Sequence, residues 1–425
     1  MHPANRLILC AAAMAAVAPA VHAGAQALPA PPVGMPVTGM EKFNDWSIAG
    51  ILFPDLHIHG TGGVSTGDPA ELATGGHDPR REAFSAQAIE PGLSLRAKYV
   101  EGFANYLWFQ DESGDWDGEL EEAFGKIVNL PVGIEIKGGQ YLSRFGNLNN
   151  KHLHAWDFVD SEMVLGRFLG DDGLLLRGGE LSWTLPLGMD PGFTGIASFG
   201  YGETRPHDHD HGHADHAGEP AYEADEATLA DNVFTTRLMG RYRFSDFHTI
   251  TAGASWAGGD NGFGKTTNIG GIDIEYQWRE HGLEPGGMGL RWRNEFLWRD
   301  VDAVGTVAHD EDHVDGLMDD HAEDHDHDGE SIGGNFNETG FYSAATFTWN
   351  EYLDTSLRVG WVEGIDAFGL EERLRISPAI ACWADSGRRV GMRVQYNYDN
   401  LESGDDEHSV WFQINIALGT VSEVR

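Results

Sequence analysis

From about Ser47 onward the chain breaks into segments of roughly ten residues in which apolar and polar side chains alternate, the period of a strand whose two faces meet different surroundings. In Leu290 to Arg299 the apolar set Leu290, Trp292, Phe296 and Trp298 interleaves with Arg291, Arg293, Glu295 and Arg299. Met392, Val394, Tyr396 and Tyr398 alternate with Arg393, Gln395, Asn397 and Asp399, and Val410, Phe412, Ile414, Ile416 and Leu418 share one face opposite Gln413 and Asn415. Period two alone does not say which face is buried, because a soluble sandwich writes the same string with its faces exchanged.

The connections decide between the two. The pattern predicts sixteen strands, at 47–59, 93–101, 103–111, 118–129, 132–141, 172–185, 191–203, 231–245, 247–257, 266–279, 288–300, 337–350, 354–363, 372–384, 388–399 and 408–419. Links after odd-numbered strands, such as 60–92, 142–171, 204–230 and 301–336, are mostly long, whereas Glu101-Gly102, Ser245-Asp246 and Asn350-Glu351 are tight. Short turns on one side and long loops on the other belong to outer-membrane barrels, and a sandwich has no reason to keep that asymmetry. The expected fold is all-β: a transmembrane antiparallel β-barrel of about sixteen strands, porin-like, over 47–419, with every long link extracellular and a tail at 420–425.

Composition narrows the class. No stretch beyond the N-terminus reaches the roughly 20 apolar residues a membrane helix needs. The formal charge of −39 would repel nucleic acid. Hydrophobic residues at 41% and thirteen tryptophans call for a folded body and not a disordered acidic chain. Arg6 before the apolar run Leu7 to Val21, closed by Val21-His22-Ala23, predicts a secretory signal peptide at 1–23 and an N-terminal periplasmic segment at 24–46. Cys10 lies inside that run, so one cysteine, Cys382, remains after cleavage and no internal disulfide forms.

The stretch Gly118-Glu-Leu-Glu-Glu-Ala-Phe124 through Gly138-Gly-Gln-Tyr-Leu-Ser-Arg-Phe-Gly146, followed by Asn147-Leu-Asn-Asn-Lys-His-Leu-His-Ala-Trp-Asp-Phe-Val-Asp160, resembles porin-type outer-membrane proteins. It is similar to the phosphate-selective porins, and closer to a porin-like family often labelled zinc-regulated TonB-dependent outer-membrane receptor. The resemblance implies a barrel from about residue 47 onward in which one long loop, here 142–171, folds into the lumen. The label implies an energised receptor.

Two acidic links carry most of the candidate chemistry. His207, His209, His211, His213 and His216 fall in 204–230, and His309, His313, His321, His325 and His327 in 301–336; five plus five makes ten of the twenty histidines of the chain. Neutral imidazole flanked by carboxylates suits zinc, and also nickel, copper or cobalt, and the irregular spacing predicts loose, multi-set binding and not one rigid site. No cofactor is required. Asp55-Leu-His-Ile-His-Gly60 resembles the first-strand metal motif of amidohydrolases. Those enzymes need an alternating β/α barrel, which the pattern lacks; His57 and His59 are instead expected near the outer rim as auxiliary ligands, as are His152 and His154.

The same alternation predicts a lumen lined by Arg237, Arg241, Arg243, Arg291, Arg293, Arg299, Arg358, Arg373, Arg375 and Arg393, against fewer carboxylates such as Asp273, Glu275 and Glu295. Such rings favour anions, unless an inward loop sets Asp157, Asp160, Asp171 or Asp172 against them. The expected function is passive passage of small hydrophilic solutes through the outer membrane, with loops that gather divalent metal, and no catalysis. The alternatives are a surface metal-binding barrel without a conducting pore, a TonB-dependent zinc receptor, and an anion-selective porin. Lipid and small ions or solutes are the expected partners, and a homotrimer is left open.

Overall fold

The structure, a computed structural model, describes residues 47–185, 193–204, 222–284, 286–306, 331–402, 404 and 406–419. The expected leader and periplasmic segment, the C-terminal tail and all ten loop histidines lie outside the described residues. Sixteen strands follow in order: β1 (Leu52–Ser65), β2 (Ser85–Arg96), β3 (Val100–Gln110), β4 (Trp116–Ile127), β5 (Ile134–Leu142), β6 (Leu175–Leu185), β7 (Phe193–Thr204) and β8 (Val233–Ser245). The second half is β9 (His248–Asp260), β10 (Thr266–Arg279), β11 (Gly289–Thr306), β12 (Ser331–Asn350), β13 (Leu353–Val362), β14 (Arg373–Trp383), β15 (Val390–Leu401) and β16 (Glu407–Gly419). Each pairs with its neighbour in sequence, and β1 closes on β16 from Asp55↔Gly419 to Ser65↔Ser409, so the barrel has no open edge.

The side chains are arranged inside out relative to a soluble sandwich. On β15, Met392 and Val394 point outward at 51% and 48% exposure, while Gln395 and Asp399 point inward at 0%. Phe296 and Trp298 on β11 and Val410 and Phe412 on β16 are likewise exposed, against buried Arg293, Glu295, Arg299, Gln413 and Asn415. An apolar outer wall around a polar interior is stable only where lipid covers the outside. No helix among the described residues is long and apolar enough to cross a membrane; the strands present the apolar surface. Cys382, free, sits on this outer wall.

The four largest shifts from the expected strand ends, at the end of β1, the start of β2, the end of β11 and the start of β12, each have a local reason. β1 runs on through Gly60-Thr-Gly-Gly63, which reads as a loop but stays paired with β16. β2 begins at Ser85 because Pro91 and Gly92, which signal a break, sit within its ladder opposite Leu56 and Asp55. β11 and β12 remain paired out to Thr306↔Ser331, where inward Val301 and Ala303 pack with Tyr222, Ile365 and Phe368. The extension of β1 moves His57 and His59: they lie mid-strand on the interior face, both buried, and not at the outer rim.

Candidate functional site

The link between β5 and β6 turns into the barrel. Its neck is stapled by Asn149, whose side chain donates to Ser143 O at 2.8 Å and accepts from Leu174 N at 2.8 Å. Gly146, at φ +58°, steers the chain inward; its N–H donates to Ser255 Oγ at 3.0 Å, and a side chain there would collide with Glu295. Beyond the neck the motif His152-Leu-His-Ala-Trp-Asp-Phe-Val-Asp160 crosses the lumen between two walls of opposite character.

One wall is basic. Asp160, buried, accepts from Arg358 at 2.6 Å, Arg375 at 3.0 Å, Gln395 at 2.6 Å and Asn397 at 3.0 Å. Asp157 pairs with Arg291 and, at 3.1 Å, with Arg293. Arg393 donates to the carbonyls of Phe158 at 2.7 Å and Trp156 at 2.8 Å. Burial raises the Asp157 pKa, but Arg291, Arg293 and Arg393 outweigh it and hold this carboxyl well below the usual range. Charge-assisted bonds buried this deeply are stronger than exposed ones.

The opposite wall is acidic and meets the loop with imidazoles. His152 Nδ1 and Nε2 lie 2.7 Å from Glu121 and 2.7 Å from Glu122. His154 contacts Glu90 at 3.0 Å and stacks on His57 with ring centroids 3.9 Å apart. Two adjacent glutamates cannot both face inward on a regular strand. A bulge between Asn105 and Tyr106 of β3 leaves Glu121 as the extra residue of β4, so that it and Glu122 both turn in.

Burial lowers the His152 pKa, but Glu121 and Glu122 override it and raise it to about 10. A raised imidazole pKa means that this anchor is fully present below the ordinary value of 6.5 and is lost as pH climbs from there to about 10. Cleavage of 152–160 by added protease should therefore rise steadily between those limits; a flat profile would mean that His152 carries no charge.

The third element of the site is apolar. A short helix, α2 (Met163–Leu169), lies inside the barrel with Met163, Val164, Phe168 and Leu169 buried against Leu297, Tyr342 and Val362. Gly340 of β12 permits this, since an added Cβ would fall 2.9 Å from Val164 and 3.0 Å from Phe168. Arg167 and Arg299 converge on Glu338 at 2.7 Å and 2.5 Å and close the helix against the wall. The link between β1 and β2, with its own single turn α1 (Pro69–Leu72), also dips inward: Leu72 O accepts from Arg373 at 2.7 Å and Arg375 at 2.8 Å.

The arginines named from sequence thus face the interior, but not as a ring open to water. Arg237, Arg293, Arg299, Arg358, Arg373, Arg375 and Arg393 are buried, Arg237 against Asp273 at 2.8 Å. Arg241, Arg243 and Arg291, nearer the short-link end, retain exposure. Asp171 pairs at the surface with Arg80 at 3.2 Å, and Asp172 lies beside His77 and Glu119. Sequence reasoning missed Glu90, Glu121, Glu122 and the inward link carrying His77; its one usable signal was the pairing of two histidines with two aspartates within 152–160.

A closed sixteen-stranded barrel with one long link folded into its interior has the porin architecture. Among solved structures, OmpF of Salmonella typhi in complex with daunomycin is similar, with a TM-score of 0.50 and 12% identity over 86% of this chain and 97% of that one. The anion-selective porin of Comamonas acidovorans aligns with a TM-score of 0.49 and 11% identity over 86% of this chain and 98% of that one. At 12% identity the likeness to OmpF is one of fold. No family profile matches the chain. An uncharacterized protein of Aquifex aeolicus is 31% identical over 143 residues, 34% of this chain and 27% of that protein, so the match spans about a quarter of the relative's length.

Proposed function

We propose that the protein is an outer-membrane channel for passive passage of small hydrophilic solutes, its bore set by the inward link 143–174. The observation that carries this reading is the inversion of the strands, polar and charged inside and apolar outside, around a lumen-crossing segment held by side chains from both walls. Sixteen strands are enough to enclose an aqueous passage when the interior is not packed solid. The solvent-touching arginines Arg241, Arg243 and Arg291 would favour anions at the short-link end, while the His/Asp tracts at 204–230 and 301–336 would gather divalent metal, zinc foremost, at the other.

A second reading follows from how much of the interior is buried: a surface metal-binding barrel without a conducting pore. Single-channel recording in planar bilayers separates the two. The channel reading expects discrete open steps that micromolar zinc modulates, and larger steps when residues 147–172 are replaced by a short glycine-serine bridge. No steps from either protein would leave the barrel as an anchor; steps indifferent to zinc would leave an anion porin.

A further inference from the structure

Outside the ion cage that holds the lumen segment, one cluster brings together side chains of metal-ligating type from three separate elements. His77 from the β1–β2 link, Glu119 from β4 and Asp172 from the β5–β6 link bring one nitrogen and two carboxylate oxygens to within 4.8 Å of one another. His77 is only 8% exposed. Its Nε2 lies 3.2 Å from Glu119 Oε1 as an ion-pair contact, and its Nδ1 is buried with no hydrogen-bond partner among the described residues. An imidazole desolvated this far normally satisfies its ring nitrogens.

The position is built. Gln87 Nε2 donates to His77 O at 2.9 Å, and the ring meets the edge of Phe109 with centroids 5.4 Å apart. The next residue, Asp78, is fixed by Ser161 N at 2.6 Å and Gly75 N at 3.0 Å. Gly76 gives Asp172 room, since a Cβ there would lie 2.9 Å from its Oδ1. A cavity of about 220 Å³ adjoins the ring, with Arg80, Gln87 and Glu112 on its walls.

We propose that His77, Glu119 and Asp172 bind one divalent transition-metal ion of the zinc class, its remaining positions taken by water from the adjoining cavity. One imidazole with two carboxylates suits borderline divalent ions, and calcium, which takes 6–8 oxygens, is poorly served by it. Bonds of about 2.0–2.2 Å set donors roughly 3–3.5 Å apart, so the three side chains must draw together by about 1 Å, a motion within reach of carboxylate rotamers. The ion would tie together two outer links and a strand, at a point separate from the His/Asp tracts and whether or not the lumen conducts.

The full-length chain with the ten loop histidines changed to asparagine removes the imidazoles of the two His/Asp tracts. Titrated calorimetrically with zinc chloride, it is expected to bind one equivalent, and with cobalt(II) to develop a visible d–d band. His77→Ala should abolish both, and Asp172→Asn should weaken binding at least about tenfold, the lower end of what even outer partners of a metal contribute. Should His77→Ala fail to fold, the cobalt band in Asp172→Asn decides. A folded background that binds no zinc, a bound equivalent indifferent to His77→Ala, or an unchanged band and affinity in Asp172→Asn would each overturn the site.

Discussion

Asp160→Ala is expected to undock the lumen segment and raise single-channel conductance severalfold. Asp160 is 4% exposed, and the two guanidiniums that grip it, Arg358 and Arg375, are 2% and 3% exposed. Removing one partner of a buried ion pair costs up to about 3–5 kcal/mol, the upper bound here because Arg358 keeps Glu162 at 3.5 Å and Arg375 keeps Asp399 at 2.7 Å. The loss falls on the basic side of the segment, where Asp157 with Arg291 and Arg293 is the carboxylate anchor that remains, while His152 on the acidic side and α2 keep their contacts. Asp171→Ala is the control: its pair with Arg80 has side chains 53% and 32% exposed, and exposed pairs contribute roughly 0–1 kcal/mol. If both variants conduct alike and resist protease alike, the cage does not hold the segment.

The second large effect is expected from Phe168→Ala. α2 has seven residues, too few to be helical in isolation, so its packing keeps it in place. Phe168 is fully buried, lies against the gap left by Gly340, and carries Arg299 over its ring at 5.3 Å. Truncation should cost about 3–5 kcal/mol, drawn from the docked segment and not from the strand ladder, whose hydrogen bonds are untouched. Hydrogen exchange should speed up across 163–169 while the amides of β10 to β15 stay protected. Equal acceleration of both would mean that lumen core and barrel unfold as one unit.

The barrel itself was legible because lipid and lumen impose opposite demands on alternate residues, so Arg293 beside Phe296, or Gln395 beside Val394, states the face of each strand. Strand ends were less so: Pro91-Gly92 and Gly60-Thr-Gly-Gly63 carry break signals that the closed ladder overrides. The site was legible in part. That 142–171 folds inward is what the porin resemblance implies, and of the four aspartates it offered to the arginines, Asp157 and Asp160 meet them in the lumen while Asp171 pairs with Arg80 and Asp172 lies beside His77. The histidine wall does not follow: period two puts His57 and His59 on one face but says nothing of His154 stacking there from a distant link. No alternation rule turns both Glu121 and Glu122 inward, because a bulge is a departure from the rule.

The reach of the Asp160 contacts bears on how the protein is held together. Its partners Arg358, Arg375, Gln395 and Asn397 lie 198, 215, 235 and 237 residues further along the chain. Burying this carboxylate without those partners would be prohibitive. The seat of Asp160 is therefore complete only where β13, β14 and β15 stand in the same closed wall, so a segment that leaves the barrel between β5 and β6 is held by the far end of the chain.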